Sequence, residues 1–119
     1  MRGGELYMKK ILLLYMSPVS AEEQMGKAKP EDMQKAMQPW IDWFTEVGSG
    51  LLDRGMPLGN GKHIATSGVT NSTAQITGYS MIQAESMEKA VELAKKQPHL
   101  TMGEGRSVEV LEVLAMPGM

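Results

Sequence analysis

Cysteine is absent from this chain of 119 residues. That removes disulfide scaffolding, thiolate nucleophiles and cysteine-based zinc sites together. Charge of one sign is also missing. The formal net charge is −2, and the lysines at 9, 10, 27, 29, 35, 62, 89, 95 and 96 are scattered rather than gathered into the basic patch a nucleic-acid groove requires. Long apolar runs are lacking too. The longest, Ile11 to Met16, is strand-sized and far short of the ~20 residues that cross a bilayer. Lys9-Lys10 ahead of that run imitates the start of a secretory signal, but no small-residue cleavage site follows. The expectation is a cytoplasmic protein that binds neither nucleic acid nor membrane.

Chemistry-bearing motifs are equally sparse. The sequence holds only two histidines, His63 and His99, and neither lies at a metal-ligand spacing with a second histidine or a carboxylate pair. Gly59-Asn60-Gly61 and Gly103-Glu104-Gly105 lack the further glycine and the Lys-Ser/Thr of phosphate-binding loops. No Gly-x-Ser-x-Gly surrounds a serine. Neither a metal nor a cofactor is expected.

What is present is an ordinary globular composition, 42% hydrophobic and 22% charged, in a length that suits one domain. Residues 1–7 read as an N-terminal extension and 8–119 as the single domain, with Met8-Lys9-Lys10 a natural beginning for the first strand. Twelve methionines supply adaptable side chains for an irregular core or a binding surface. Lys9 to Met16 is apolar on both parities, as in a strand buried on two sides. Ser17-Pro18 ends it. Ser20 and Glu23 have the spacing of a capping box for a short helix or surface turn over 20–29.

Met33, Ala36, Met37, Trp40, Ile41, Phe44 and Val47 recur at helical spacing, predicting a helix over 30–47. Pro30 suits its first turn, Glu31 and Asp32 favour its positive end, and Gly48 and Gly50 stop it. Pro39 predicts a kink. After a glycine-rich stretch, an edge strand is expected near Lys62 to Thr66, hairpin-paired with a strand over Gln75 to Ala84. Ser86 caps a second helix to Lys96, and the last strand spans Arg106 to Leu114. The order is β-α-β-β-α-β, the split unit of ferredoxin-like folds: an α+β domain with a four-stranded antiparallel sheet. Two helices cover one face of such a sheet. The first and last strands are apolar on both, so the uncovered face needs a partner, most simply a second copy about a two-fold axis.

Several stretches resemble YCII-related, or DGPF-domain, proteins. They are Met8-Lys9-Lys10-Ile11-Leu12-Leu13-Leu14-Tyr15, Pro30-Glu31-Asp32-Met33, Gly78-Tyr79, Ala84-Glu85-Ser86-Met87-Glu88-Lys89-Ala90 and Ser107-Val108-Glu109-Val110-Leu111-Glu112-Val113. The resemblance implies a homodimeric α+β barrel. Some members of that family carry an Asp and a His facing a pocket. Here Asn71-Ser72-Thr73-Ala74 stands where the Asp-Gly-Pro-Phe motif would be, and Ser17-Pro18-Val19-Ser20 replaces the early histidine. The dyad does not transfer.

Candidate site residues follow from what remains. His99, between Pro98 and Leu100, is the candidate acid–base group, with Tyr79 and Glu104 as its partners. His63, Trp43 at the edge of the helical stripe, Met81 on the sheet face shared with Tyr79, and Arg106 at the start of the last strand are candidate ligand-binding residues. The plainer alternatives are surface or half-buried histidines, a core-margin Trp43, and an ion pair of Arg106 with Asp53 or Glu104. Three functions are open: a module binding a small apolar or aromatic metabolite between sheet and helices, a cofactor-free isomerase- or lyase-like enzyme using His99, and an accessory structural dimer.

Overall fold

The computed structural model describes residues 8–118; the expected extension over 1–7 lies outside them. Strand β1, Lys9–Met16, alternates between fully buried Ile11, Leu13 and Tyr15 and half-buried Leu12, Leu14 and Met16. It takes an interior place in the sheet because only there can both apolar parities be used. Ser17 then turns the chain into α1, Ala21–Lys27, where the Ser20 hydroxyl caps the Glu23 N–H at 3.1 Å. Helix α2 runs Pro30–Val47 with Pro39 inside it, and a 3-10 turn leads into β2, Leu51–Asp53. A hairpin of β3, Lys62–Ala65, and β4, Gly68–Asn71, precedes β5, Ile76–Ala84. Helix α3, Met87–Lys95, is capped by Ser86, which accepts from the Lys89 N–H at 3.2 Å. A 3-10 turn at Pro98–Thr101 leads to β6, Ser107–Glu112.

The described residues thus form an α+β fold with a four-stranded antiparallel sheet in the order β2-β5-β1-β6 and a separate two-stranded sheet, β3-β4. The edge strand beside β5 corrects the expectation from sequence. It is the short β2, with Leu51 opposite Ile82, and not the segment near Lys62 to Thr66. That segment pairs instead with β4. Its turn signals are genuine, but they close a local hairpin before β5 begins. Leu51-Leu52 was hidden because three residues are too few to show alternation.

Helices α2 and α3 pack on one face of the sheet. There Ile11, Leu13, Tyr15, Ile82 and Ala84 meet Trp43, Ala90 and Ala94 in one core, with Trp40, Phe44, Val47 and Leu51 around it. The centre of the α2 contact is also corrected. Trp43 is 3% exposed, whereas Met33, Met37 and Ile41 are 42–48% exposed. Two apolar faces adjoin on this helix, and spacing alone does not say which of them meets the sheet. The Trp43 indole N–H decides it by donating to the Leu93 carbonyl of α3 at 2.9 Å, which gives a buried polar atom its partner.

The opposite sheet face carries Leu12, Leu14 and Met16 of β1, Tyr79, Met81 and Gln83 of β5, Asp53 of β2, and Ser107, Glu109 and Leu111 of β6. No helix or hairpin of the described residues packs across it. Its apolar side chains stay half-buried or, at Leu111, 45% exposed, and Asp53, Ser107 and Glu109 are exposed. The first half of α2 and the β3–β4 hairpin reach beyond the packed body, where Ile64 and Val69 are 76% and 63% exposed. The radius of gyration, 16.4 Å, exceeds the roughly 13.5 Å of a compact chain this long, as such projections require.

Candidate functional site

His99 is the most constrained ionisable side chain of the described residues. The Pro98–Thr101 turn carries it against the end of β1, where it is 3% exposed and its ring lies 5.3 Å from that of Tyr15. Nε2 stands 2.8 Å from the Met16 carbonyl, and Nδ1 stands 3.4 Å from Arg106 Nη1. A carbonyl only accepts and a guanidinium only donates. Nε2 therefore carries the proton and Nδ1 faces the Arg106 fork. Burial lowers the histidine pKa, the Met16 carbonyl partly opposes that, and the Arg106 charge lowers it further. This is a neutral imidazole with both nitrogens engaged.

The residues expected to act with it are elsewhere. Tyr79 lies on the open sheet face, where its hydroxyl donates to Asp53 Oδ2 at 3.2 Å. That bond to the carboxylate raises the phenol pKa. His99 contacts Tyr15 on the helix-covered face, so the sheet separates it from Tyr79. Glu104 sits exposed in the loop before β6. The three do not converge. Of the expected ligand contacts, Arg106 meets His99 rather than Asp53 or Glu104. His63 is exposed on the hairpin, Met81 lies half-buried on the open face, and Trp43 is core. The space between sheet and helices, where a pocket was expected, is filled by that core.

A buried polar chain that sequence reasoning missed runs beside His99. The Gln97 amide donates to the Tyr15 hydroxyl at 3.0 Å, Tyr15 donates to Ser80 Oγ at 2.6 Å, and Ser80 donates to the Arg54 carbonyl at 2.6 Å. Burial pushes the Tyr15 phenol up to about 12, against the lowering effect of its Ser80 and Gln97 bonds. Such a chain fixes the side chains it joins. Nothing in the sequence marks it except a polar residue, Ser80, on the inward parity of β5.

A concavity of about 430 Å³ lies beyond the end of β1. Its walls are the β1–α1 turn with Ser17, Pro18, Ser20, Ala21 and Glu22, the loop 58–61 ahead of the hairpin, and the segment 72–77 behind it. Ser17 is buried at its floor. Its N–H donates to the Gln75 carbonyl at 2.9 Å, and its Oγ accepts from the Val19 N–H at 3.1 Å. The opposite wall is stapled by Glu22, whose Oε1 accepts from the Asn60 N–H at 2.5 Å. That bond, with the Ser20 hydroxyl, lowers the Glu22 pKa. Asn60 adopts φ 55°, and a Cβ at Gly59 would collide with the Glu22 carboxylate; the turn is built to let that group approach.

The cleft brings together Ser17-Pro18 and Ser72-Thr73-Ala74. Its lining is hydroxyls, amides and apolar groups with one ionisable side chain, Glu22. It has no acid–base pair. A second concavity of about 360 Å³ lies between α2 and the Lys95–Pro98 segment, with Trp43 in its lining. Among the described residues no three His, Asp or Glu side chains gather as a metal site, and no helix is long and apolar enough to cross a membrane.

No family model matches the chain, and no curated protein matches it.

Proposed function

We propose that the protein is a homodimeric binding module of the ferredoxin-like, dimeric α+β barrel kind, holding a small metabolite in the cleft between the β1–α1 turn and the hairpin's two connecting segments. The strand order β2-β5-β1-β6 supports the ferredoxin-like reading, with the β3–β4 hairpin inserted between its second and third strands. A kinship with YCII-related proteins rests on the sequence stretches that resemble them.

The observation that carries the binding reading is the composition of the cleft. Its volume falls in the range of small-molecule sites. Serine and threonine hydroxyls and main-chain groups offer orientation, and Pro18, Leu58 and Ile76 offer an apolar floor. A metabolite with an apolar or aromatic body and a few polar groups suits it. Proton transfer by His99 is the weaker reading, because both ring nitrogens are already bonded and Tyr79 and Glu104 are remote.

Dimerisation is supported by the open sheet face. Four strands about 4.8 Å apart, with about 3.4 Å per residue, give a footprint of roughly 400 Å². A stable partner surface is nearer 800 Å². The exposed Ile64 and Val69 of the hairpin would supply part of the remainder. The net charge of −2 sets up little repulsion between copies.

The test is a thermal-shift screen of a metabolite library on the wild type and on Thr73→Trp, which fills the cleft. A compound that stabilises the wild type by several degrees and leaves the variant unmoved supports the module. Stabilisation equal in both variants contradicts it. So does turnover of a compound that is abolished by His99→Gln, which would establish the enzyme. No stabilising compound at all leaves the accessory dimer as the reading.

A further inference from the structure

We infer that the ligand of this cleft is a small organic monocation, an ammonium group seated against the Glu22 carboxylate with its apolar body on Pro18, Leu58 and Ile76. This rests on the cleft being the binding site and goes beyond it in naming the charge of the occupant.

The cleft is electrically one-sided. Among its lining residues Glu22 alone is ionisable. The groups that hold its carboxylate, the Asn60 N–H and the Ser20 hydroxyl, are neutral. They favour the ionised form without cancelling its charge. Lys27 pairs with Glu23 at 3.1 Å, and Lys62 holds its ammonium on the hairpin beside the cleft, donating to Asn71 Oδ1 at 2.7 Å. An anionic ligand seated among the lining residues would meet the Glu22 carboxylate as the one charge of the lining itself.

The carboxylate is also positioned rather than dangling. Glu22 sits in the first turn of α1, one wall of the cleft, and its bond to Asn60 ties it to the opposite wall across 38 residues of sequence. Gly59 leaves the space it occupies. The Asn60 N–H, the Ser20 hydroxyl and the Glu22 N–H use three lone pairs, and a carboxylate offers about four. Acceptor capacity therefore remains for an ammonium group, whose three donors the Ser and Thr hydroxyls around it can share.

The probes are benzylamine, benzyl alcohol and benzoate, which differ in charge on the same ring, titrated into isotopically labelled protein and followed by amide shift changes. Benzylamine is expected to move the amides of residues 17–22, 60 and 72–77 with an affinity about tenfold above that of benzyl alcohol, weakening with added salt. Benzoate is expected not to bind. Glu22→Gln keeps an oxygen for the Asn60 N–H while removing the charge. It should bring benzylamine down to the alcohol's affinity.

Equal binding of the amine and the alcohol in the cleft, or an amine affinity unchanged by Glu22→Gln, overturns the cation inference and leaves the cleft as a site for neutral ligands. Tighter binding of benzoate overturns it as well. Shifts from no probe at these residues overturn both the inference and the cleft reading beneath it.

Discussion

At the scale of single residues, the buried polar groups around the end of β1 carry the sharpest consequences. His99 is held neutral, so the unfolded chain takes up its proton near the ordinary histidine pKa while the folded one resists. Its contribution to stability is complete above about pH 6.5 and is lost as pH falls below that value toward the depressed folded pKa. Thermal unfolding followed between pH 7.5 and 5.5 should show the midpoint dropping with acid, and His99→Gln should flatten that slope. An unchanged slope in the variant would assign the pH response to other groups. Tyr15→Phe removes both a donor to Ser80 and an acceptor for Gln97, whose Oε1 is already buried without a partner among the described residues. Denaturant unfolding of that variant should show a loss of about 1–3 kcal/mol. Spectroscopic titration of the wild type should show one tyrosine still protonated near pH 11, since burial holds Tyr15 at about 12. Little of this was legible beforehand. His99 stood out because histidines are few and it is flanked by Pro98 and Leu100, but its partners, the Met16 carbonyl and Arg106, come from distant segments that no local pattern joins.

At the scale of elements, the pieces with strong periodicity were readable and those fixed by tertiary contact were not. The range of α2, the Ser20 and Ser86 caps and the two-faced apolar β1 all follow from residue type and spacing. The edge of the sheet does not. Strand β2 is three residues long and is seated by a close approach: Gly55, at φ 80°, lets the following loop press on β5, where an added Cβ would collide with the Tyr79 carbonyl. Gly55→Ala combines that clash with an unfavourable left-handed backbone. It should destabilise the protein by more than about 2 kcal/mol, measured by denaturant unfolding, with amide exchange speeding first in 51–53. A near-neutral effect would mean that this edge is not held by the contact described. Trp43 illustrates the same division. Its helical position was clear, but its place at the centre of the core depends on the Leu93 carbonyl fifty residues away.

At the scale of the whole molecule, the decisive feature is a sheet that the described residues cover with helices on one face only. The sequence carried this mainly in β1, which is apolar on both parities, and in Leu111 of β6, while only two long amphipathic helices are available to cover them. What it did not carry was the cleft, whose walls come from three separated segments of weak pattern. Leu111 lies on the open face opposite Leu12 and is 45% exposed, so a charge there burdens a sheet-to-sheet contact far more than the fold of one chain. Sedimentation equilibrium at micromolar concentration on the wild type and Leu111→Glu therefore tests the assembly most directly. Dimerisation through this face gives the wild type twice the 13.0 kDa chain mass, and Leu111→Glu a single-chain mass with an unchanged far-ultraviolet dichroism spectrum. A wild type that sediments as one chain, or a dimer that survives Leu111→Glu, would contradict it.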